Sequence, residues 1–273
     1  MKKILLATDF SDSCDNALTY AMALLQKTQI KIDLLNVYDI PVVVSSSMPS
    51  RAIDGIMTEK AKVVESHLLE LQQNISSPHR GIFKVIYGPY PATEIAEFAK
   101  SEGHDMIVMG MKQKYSLLER MMGTVTAQTI QLAAVPVLAI PSQSEYIPYR
   151  KILFPTANPS GTDLTEAEET AIGWLVDFAK LFGSPSIHML HIQKEKTGDI
   201  IDITYKEKIN DQIDFSRSQA LSIEDGILSY YEKEHAELLA FYKPYRYFWE
   251  RLYHSSLIRK ILFRTRVPLL IFR

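Results

Sequence analysis

The chain has 273 residues, about twice the usual domain size of roughly 100 to 150, so one small domain is excluded and two compact domains are expected. With 47% apolar and 23% charged residues it carries enough apolar material for two cores and too little net charge for a disordered chain. Lys plus Arg number 30 against 32 Asp plus Glu, a net charge of -2, so no global positive field exists to hold nucleic acid or an anionic membrane, and neither is expected as a partner.

Met1-Lys2-Lys3 is followed by the apolar run Ile4 to Ala7, but Asp9 and Asp12 arrive before a signal-peptide core could form. A cytoplasmic location is therefore expected. No run approaches the roughly 18 apolar residues of a membrane span. The single cysteine, Cys14, excludes an intrachain disulfide and a cysteine-built zinc site, and reads as a small apolar residue near a helix start.

In chain order, Ile4 to Thr8 reads as a strand, and Leu18, Ala21, Met22 and Leu25 recur at helical spacing. Ile32 to Val37 reads as a strand, Arg51 to Gln73 as a long helix, Phe83 to Tyr87 as a strand and Ala92 to Lys100 as a helix. Met106 to Met109 is the next strand, Thr124 to Ala133 a helix and Val135 to Ile140 the closing strand. Strict alternation of this kind predicts α/β architecture, with right-handed crossovers and a doubly wound parallel sheet covered by helices on both faces.

The pattern then repeats. Lys3-Ile4-Leu5-Leu6 returns as Lys151-Ile152-Leu153-Phe154, Thr8 matches Thr156, and Val135-Pro136-Val137-Leu138-Ala139-Ile140 matches Val267-Pro268-Leu269-Leu270-Ile271-Phe272. The Ser- and Pro-containing stretch Pro141 to Pro148 is the linker, which gives domains at 1–142 and 149–273. Both closing strands are apolar throughout. They are expected to pair with each other or with a second copy, as an intramolecular pseudo-dimer or a homodimer, because free apolar edges invite aggregation.

Ligands of doubly wound sheets bind beyond the carboxyl ends of the strands, which directs attention to the loops after Thr8, Val37 and Met109. The last of these reads Gly110-Met111-Lys112-Gln113, then nine residues, then Gly123-Thr124 at a helix start. Glycine at a strand end permits close backbone approach, and Gly-Thr at a helix N-terminus offers free N–H groups, a hydroxyl and the positive end of the dipole, an arrangement suited to phosphate. Taken singly, Gly110 also serves as a turn residue and Thr124 as an N-cap. Lys112 and Lys114 flank the loop as phosphate-directed charges or as solvated residues. Motifs of the phosphate-loop kinase, dinucleotide and nucleophile-elbow types do not occur in the chain. The histidines are scattered, with His188 and His191 on opposite faces of one strand, and no metal site is expected.

On Gly110, the nine-residue spacing, Gly123 and Thr124, together with Asp9 ending the first strand and Leu34-Leu35-Asn36-Val37 as the second, the chain resembles the universal stress protein family in its tandem form. That resemblance implies two Rossmann-like domains of the adenine nucleotide alpha hydrolase type. It also implies a nucleotide, ATP or AMP with Mg2+ as an accompanying ion, in which Asp9 holds the ribose edge, the backbone of Val37 holds adenine, and Gly110, Gly123 and Thr124 hold phosphates. Lys112 and Gln113 complete the loop, Gln113 standing where the family pattern has its second glycine. The implied function is nucleotide-linked regulation in stress responses, with no catalytic residue and at most slow ATP hydrolysis. The competing readings are a scaffolding or dimerisation protein that binds no nucleotide, and a weak ATPase.

In the second copy a simple alignment puts Ala157 at the place of Asp9, and Phe241, Pro244 and His254 at the places of Gly110, Gln113 and Gly123, with Ser255 at that of Thr124. This copy is expected to be structural and to bind no nucleotide. The basic and aromatic segment Phe241 to Phe263 reads either as filling for the vacated site or as a surface for single-stranded nucleic acid or anionic lipid, and the first is favoured.

Overall fold

The computed structural model describes residues 1–39, 50–111, 125–160, 164–194, 205–208, 211–242, 261–262 and 264–273. The chain divides into two compact units, Met1–Gln143 and Ser144–Arg273.

In the first unit the elements are β1 Lys3–Ala7, α1 Asp12–Leu25, β2 Lys31–Tyr38, α2 Ser50–Gln73, β3 Arg80–Tyr87, α3 Pro91–Ser101, β4 Met106–Met111, α4 Val125–Leu132 and β5 Val137–Pro141. The strand order is β3-β2-β1-β4-β5, and every neighbouring pair is parallel. Ile4, Leu5, Leu6 and Met106, Ile107, Val108 are fully buried. Their runs do not alternate because helices cover both faces of the central strands. The edge strand β3 does alternate between half-buried and exposed positions. Helix α1 turns Ala17, Leu18, Ala21, Leu24 and Leu25 inward at helical spacing, and α3 does the same with Ala92, Ile95, Ala96 and Ala99.

The chain steps outward from β1 through β2 to β3 and then returns to the other side of β1 with β4. Strand order thus reverses between β1 and β4, and the crevice at their carboxyl ends is the place the topology reserves for a ligand.

In the second unit the elements are β6 Lys151–Pro155, α5 Glu166–Leu181, β7 Ser186–Lys194, β8 Tyr205–Lys208, β9 Ile213–Ala220, α6 Ile223–Glu234, β10 Leu238–Tyr242 and β11 Leu269–Phe272. Their order is β11-β10-β6-β7-β9-β8. Neighbours are parallel from β11 to β9, but β8 runs antiparallel to β9. Apart from this edge strand the pairing is parallel, as expected from sequence. A parallel return needs a crossover of a dozen or more residues, and the short connection from Lys208 to Ile213 accommodates only a hairpin.

Candidate functional site

The turn after β1 is built by two side-chain hydrogen bonds. Thr8 Oγ1 accepts the Phe10 N–H at 3.0 Å, and Asp9 Oδ1 accepts the Ser11 N–H at 3.0 Å. Such bonds stabilise a tight turn without a backbone ladder. Phe10 pays with a left-handed backbone, φ 61°, and its ring packs on His67 of α2 at 5.4 Å. Ser11 is the N-cap of α1 by position, but its side chain makes no cap bond; its hydroxyl meets Ser13 Oγ at 2.9 Å. Asp12 is the first helical residue, where its charge complements the helix dipole. Cys14 is buried beneath the turn with Sγ 3.2 Å from Asp9 Oδ1. Burial pushes its thiol pKa up, against the backbone hydrogen bond at Asp9 that lowers it, so it is an inert thiol that props the exposed carboxylate.

Val37 lies half-buried near the end of β2, opposite Ile86. Its neighbour Asn36 is buried and donates from Nδ2 to the Thr8 carbonyl at 2.8 Å. Helix α2 lies against this end of the strand. Tyr38 reaches the Met57 carbonyl with its hydroxyl at 3.5 Å, and the Lys60 ammonium lies 5.8 Å from the Tyr38 ring centre while donating to the Asp39 carbonyl.

Gly110 is where three elements meet. A Cβ there would lie 2.5 Å from the Ser13 carbonyl carbon and 2.9 Å from Cys14 N. The glycine therefore admits the first turn of α1 against β4. Its carbonyl accepts Thr126 Oγ1 from the first turn of α4 at 3.0 Å. The first turns of α1 and α4 thus both meet the carboxyl end of β4, which neighbours the carboxyl end of β1. Asp9, Val37 and Gly110 are brought to the same edge of one sheet. Lys112, Gln113, Gly123 and Thr124 lie outside the described residues, as do Pro244, His254 and Ser255 of the second copy.

The second unit repeats the turn with different residues. Thr156 Oγ1 accepts the Asn158 N–H at 3.0 Å and Asn158 Oδ1 accepts the Ser160 N–H at 2.9 Å. The counterpart of Asp9 in this turn is Asn158, one residue beyond the Ala157 of the simple alignment, and the carboxylate has become an amide. His191 stands in the place of Asn36, with Nδ1 3.3 Å from the Thr156 carbonyl. Burial first, and the Arg217 charge as well, lower its pKa.

Strand register also corrects the counterpart of Gly110. Gly110 faces Ile140, and Tyr242 faces Phe272, the repeat equivalent of Ile140. Tyr242, not Phe241, therefore occupies the glycine's place; Phe241 is buried one step earlier. The Tyr242 ring lies 6.0 Å from that of Phe272, which stacks on Trp174 of α5 at 4.7 Å. A phenol ring now stands at the strand position that is bare backbone in the first unit. Of the basic and aromatic segment read from sequence, residues 243–260 and 263 lie outside the described residues.

Elsewhere in the first unit, Asp33 is buried between β1, β3 and the entry to β4. It accepts the Ile82 N–H at 2.8 Å and His104 Nε2 at 3.0 Å, with Lys3 Nζ at 3.9 Å. In the second, His188 Nε2 meets Ser216 Oγ at 2.7 Å and the Tyr230 hydroxyl at 2.9 Å, all three buried. Asp33 with His104, and His188 with Ser216 and Tyr230, are buried and belong to the cores. Among the described residues no group of three or more His, Cys, Asp or Glu side chains is placed to hold a metal ion, and no helix is long and apolar enough to cross a membrane.

A sequence model of the universal stress protein family matches residues 1–141. The universal stress protein YxiE of Bacillus subtilis (strain 168) is 32% identical over 148 residues, covering 50% of this chain and 97% of that protein. A universal stress protein of Methanocaldococcus jannaschii is 28% identical over 152 residues, covering 51% and 94%. In three dimensions, the crystal structure of a universal stress protein from Archaeoglobus fulgidus aligns over 99% of this chain and 96% of that one, with a TM-score of 0.71 at 17% identity, a likeness of fold. With the family match spanning more than half of its residues, the chain belongs to the universal stress protein family.

Proposed function

We propose that this protein binds an adenine nucleotide, ATP or AMP, at the carboxyl edge of the first unit's sheet, and that the bound nucleotide regulates its action in a cytoplasmic stress response. The observation that carries the reading is the convergence of Asp9, Val37 and Gly110 at the point where strand order reverses, flanked by the first turns of α1 and α4. Asp9 is exposed, with its carboxylate oriented by Ser11 and Cys14, and faces the ribose hydroxyls as an acceptor. The backbone of Val37 meets the base. Phosphates lie toward Gly110 and the loop that follows it, where Lys112, Gln113, Gly123 and Thr124 supply charge, amide N–H groups and a hydroxyl; Thr124 directly precedes α4. Mg2+ would accompany ATP through phosphate oxygens and water more than through protein ligands.

A thermal-shift titration of the full chain with ATP and AMP, each with and without Mg2+, tests the reading. A ligand at 100 times its dissociation constant adds about 2.7 kcal/mol to the folded state, so a saturable rise in melting temperature is expected. Gly123→Val, whose β-branched side chain would fill the phosphate position at the helix start, should remove that rise. No shift of the wild type with any of the four ligand conditions would leave the scaffolding reading in its place.

A further inference from the structure

The ladder between β1 and β2 stops one bond short of where its register would carry it. The Lys31 N–H bonds to the Lys2 carbonyl and the Thr8 N–H to the Leu35 carbonyl, at 3.0 and 2.9 Å. The next bond of a parallel ladder in this register would run from the Val37 N–H to the Thr8 carbonyl. That carbonyl is taken instead by the side-chain amide of Asn36, and no backbone bond joins Val37 to Thr8. The following bond, from the Phe10 N–H to the Val37 carbonyl, is likewise replaced, because the Phe10 N–H turns to Thr8 Oγ1. Val37 therefore reaches the sheet edge with a donor and an acceptor, side by side, that its neighbouring strand does not use.

The arrangement is costly for folding. Asn36 is 6% exposed, and its Oδ1 is buried with no hydrogen-bond partner among the described residues. An unsatisfied buried acceptor destabilises, and an apolar side chain of the same size would both avoid that cost and release Thr8 to the ladder. The second unit uses the same device with an imidazole: the Thr156 N–H bonds to the Leu190 carbonyl at 2.8 Å while His191 takes the Thr156 carbonyl. A local rule of stability broken at the edge of a ligand crevice is a sign of function.

We propose that Asn36 is a positioning residue that withholds the backbone of Val37 from the sheet so that it can pair with the edge of a bound base. This rests on the nucleotide reading above. An adjacent N–H donor and C=O acceptor complement a base edge that presents a ring-nitrogen acceptor beside an exocyclic amino donor, which is the polarity of adenine and the reverse of guanine. Asn36 touches the base at no point; it acts by occupying Thr8.

The test compares the full-length wild type with Asn36→Leu, Asn36→Ala and Asn36→His, using amide hydrogen exchange at Val37 read by NMR without ligand, and titration with AMP and GMP. Asn36→Leu should melt no lower than the wild type, slow Val37 exchange at least tenfold as the ladder closes, and weaken AMP binding at least tenfold. Asn36→His, which supplies the donor that His191 supplies in the second unit, should restore fast exchange and AMP affinity to within about threefold of the wild type. Asn36→Ala gives the same readout as Leu should the latter fail to fold. A protected Val37 amide in the wild type, or unchanged exchange in both apolar variants, overturns the proposal; so does slowed exchange with undiminished AMP affinity. If the wild type binds neither nucleotide, the nucleotide reading fails, and the exchange comparison alone decides whether Asn36 withholds Val37.

Discussion

At the scale of single residues, two buried side chains do opposite things to stability. Asn36 leaves an acceptor unsatisfied, whereas Asp33 gathers two hydrogen bonds and a nearby ammonium. Burial by itself raises the Asp33 carboxyl pKa, but the hydrogen bonds from His104 and the Ile82 N–H, with the charges of His104 and Lys3, hold it below the ordinary value. Gly81 makes this possible, since a Cβ there would lie 2.6 Å from the Ile32 carbonyl oxygen and would collide with the Asp33 carboxylate. A carboxyl whose folded pKa is depressed stabilises the fold above its unfolded value, about 4. That contribution is lost as pH falls from there through the folded value. Urea denaturation from pH 6 down to pH 3 should therefore show Asp33→Asn less stable than the wild type at pH 6, with the gap closing below about pH 4. A gap that stays constant into acid would show that the Asp33 charge contributes nothing. Asp9 and Val37 were named through the family resemblance, and the fold places both at the carboxyl edge of the first unit's sheet. Asn36 was not legible as anything beyond a strand residue, because its role depends on which carbonyl its amide meets across the sheet.

At the scale of elements, the alternation of strands and helices in the first half was readable because each central strand is a short apolar run and each helix keeps its apolar spacing. The second half was harder. Its antiparallel β8 is four residues long and sits at a sheet edge, where one face of neighbours suffices and no strong apolar pattern is imposed. The counterparts of Asp9 and Gly110 were each misplaced by one residue because a linear alignment cannot see a turn hydrogen bond or a strand partner. Gly110 itself gained a second meaning. The close approach inferred from its type exists, but the approaching backbone is that of α1. Gly110→Ala should thus force α1 and β4 apart and destabilise the first unit by about 2 kcal/mol, the cost of an overpacked contact against main chain. Chemical denaturation measures this directly; an unchanged midpoint would mean that α1 yields freely and that the glycine serves the ligand alone.

At the scale of the whole molecule, two copies of one pattern have taken different courses. The first keeps an exposed carboxylate at the turn and bare backbone at Gly110, met by the first turns of α1 and α4. The second has Asn158 at the turn, Tyr242 in place of the glycine, and α5 starting at Glu166, well beyond the end of β6, with Trp174 and Phe272 stacked together. Tyr242 fills the place that Gly110 leaves open, and the first turn of α5 carries Glu166, Glu168 and Glu169, whose charges oppose a phosphate at that helix start. The account therefore requires a single nucleotide site per chain, located in the first unit. Isothermal titration calorimetry of the full chain with ATP measures this most directly: one site per chain, lost in Gly123→Val, is the predicted result, and two equivalent sites, or binding that survives Gly123→Val, would contradict it.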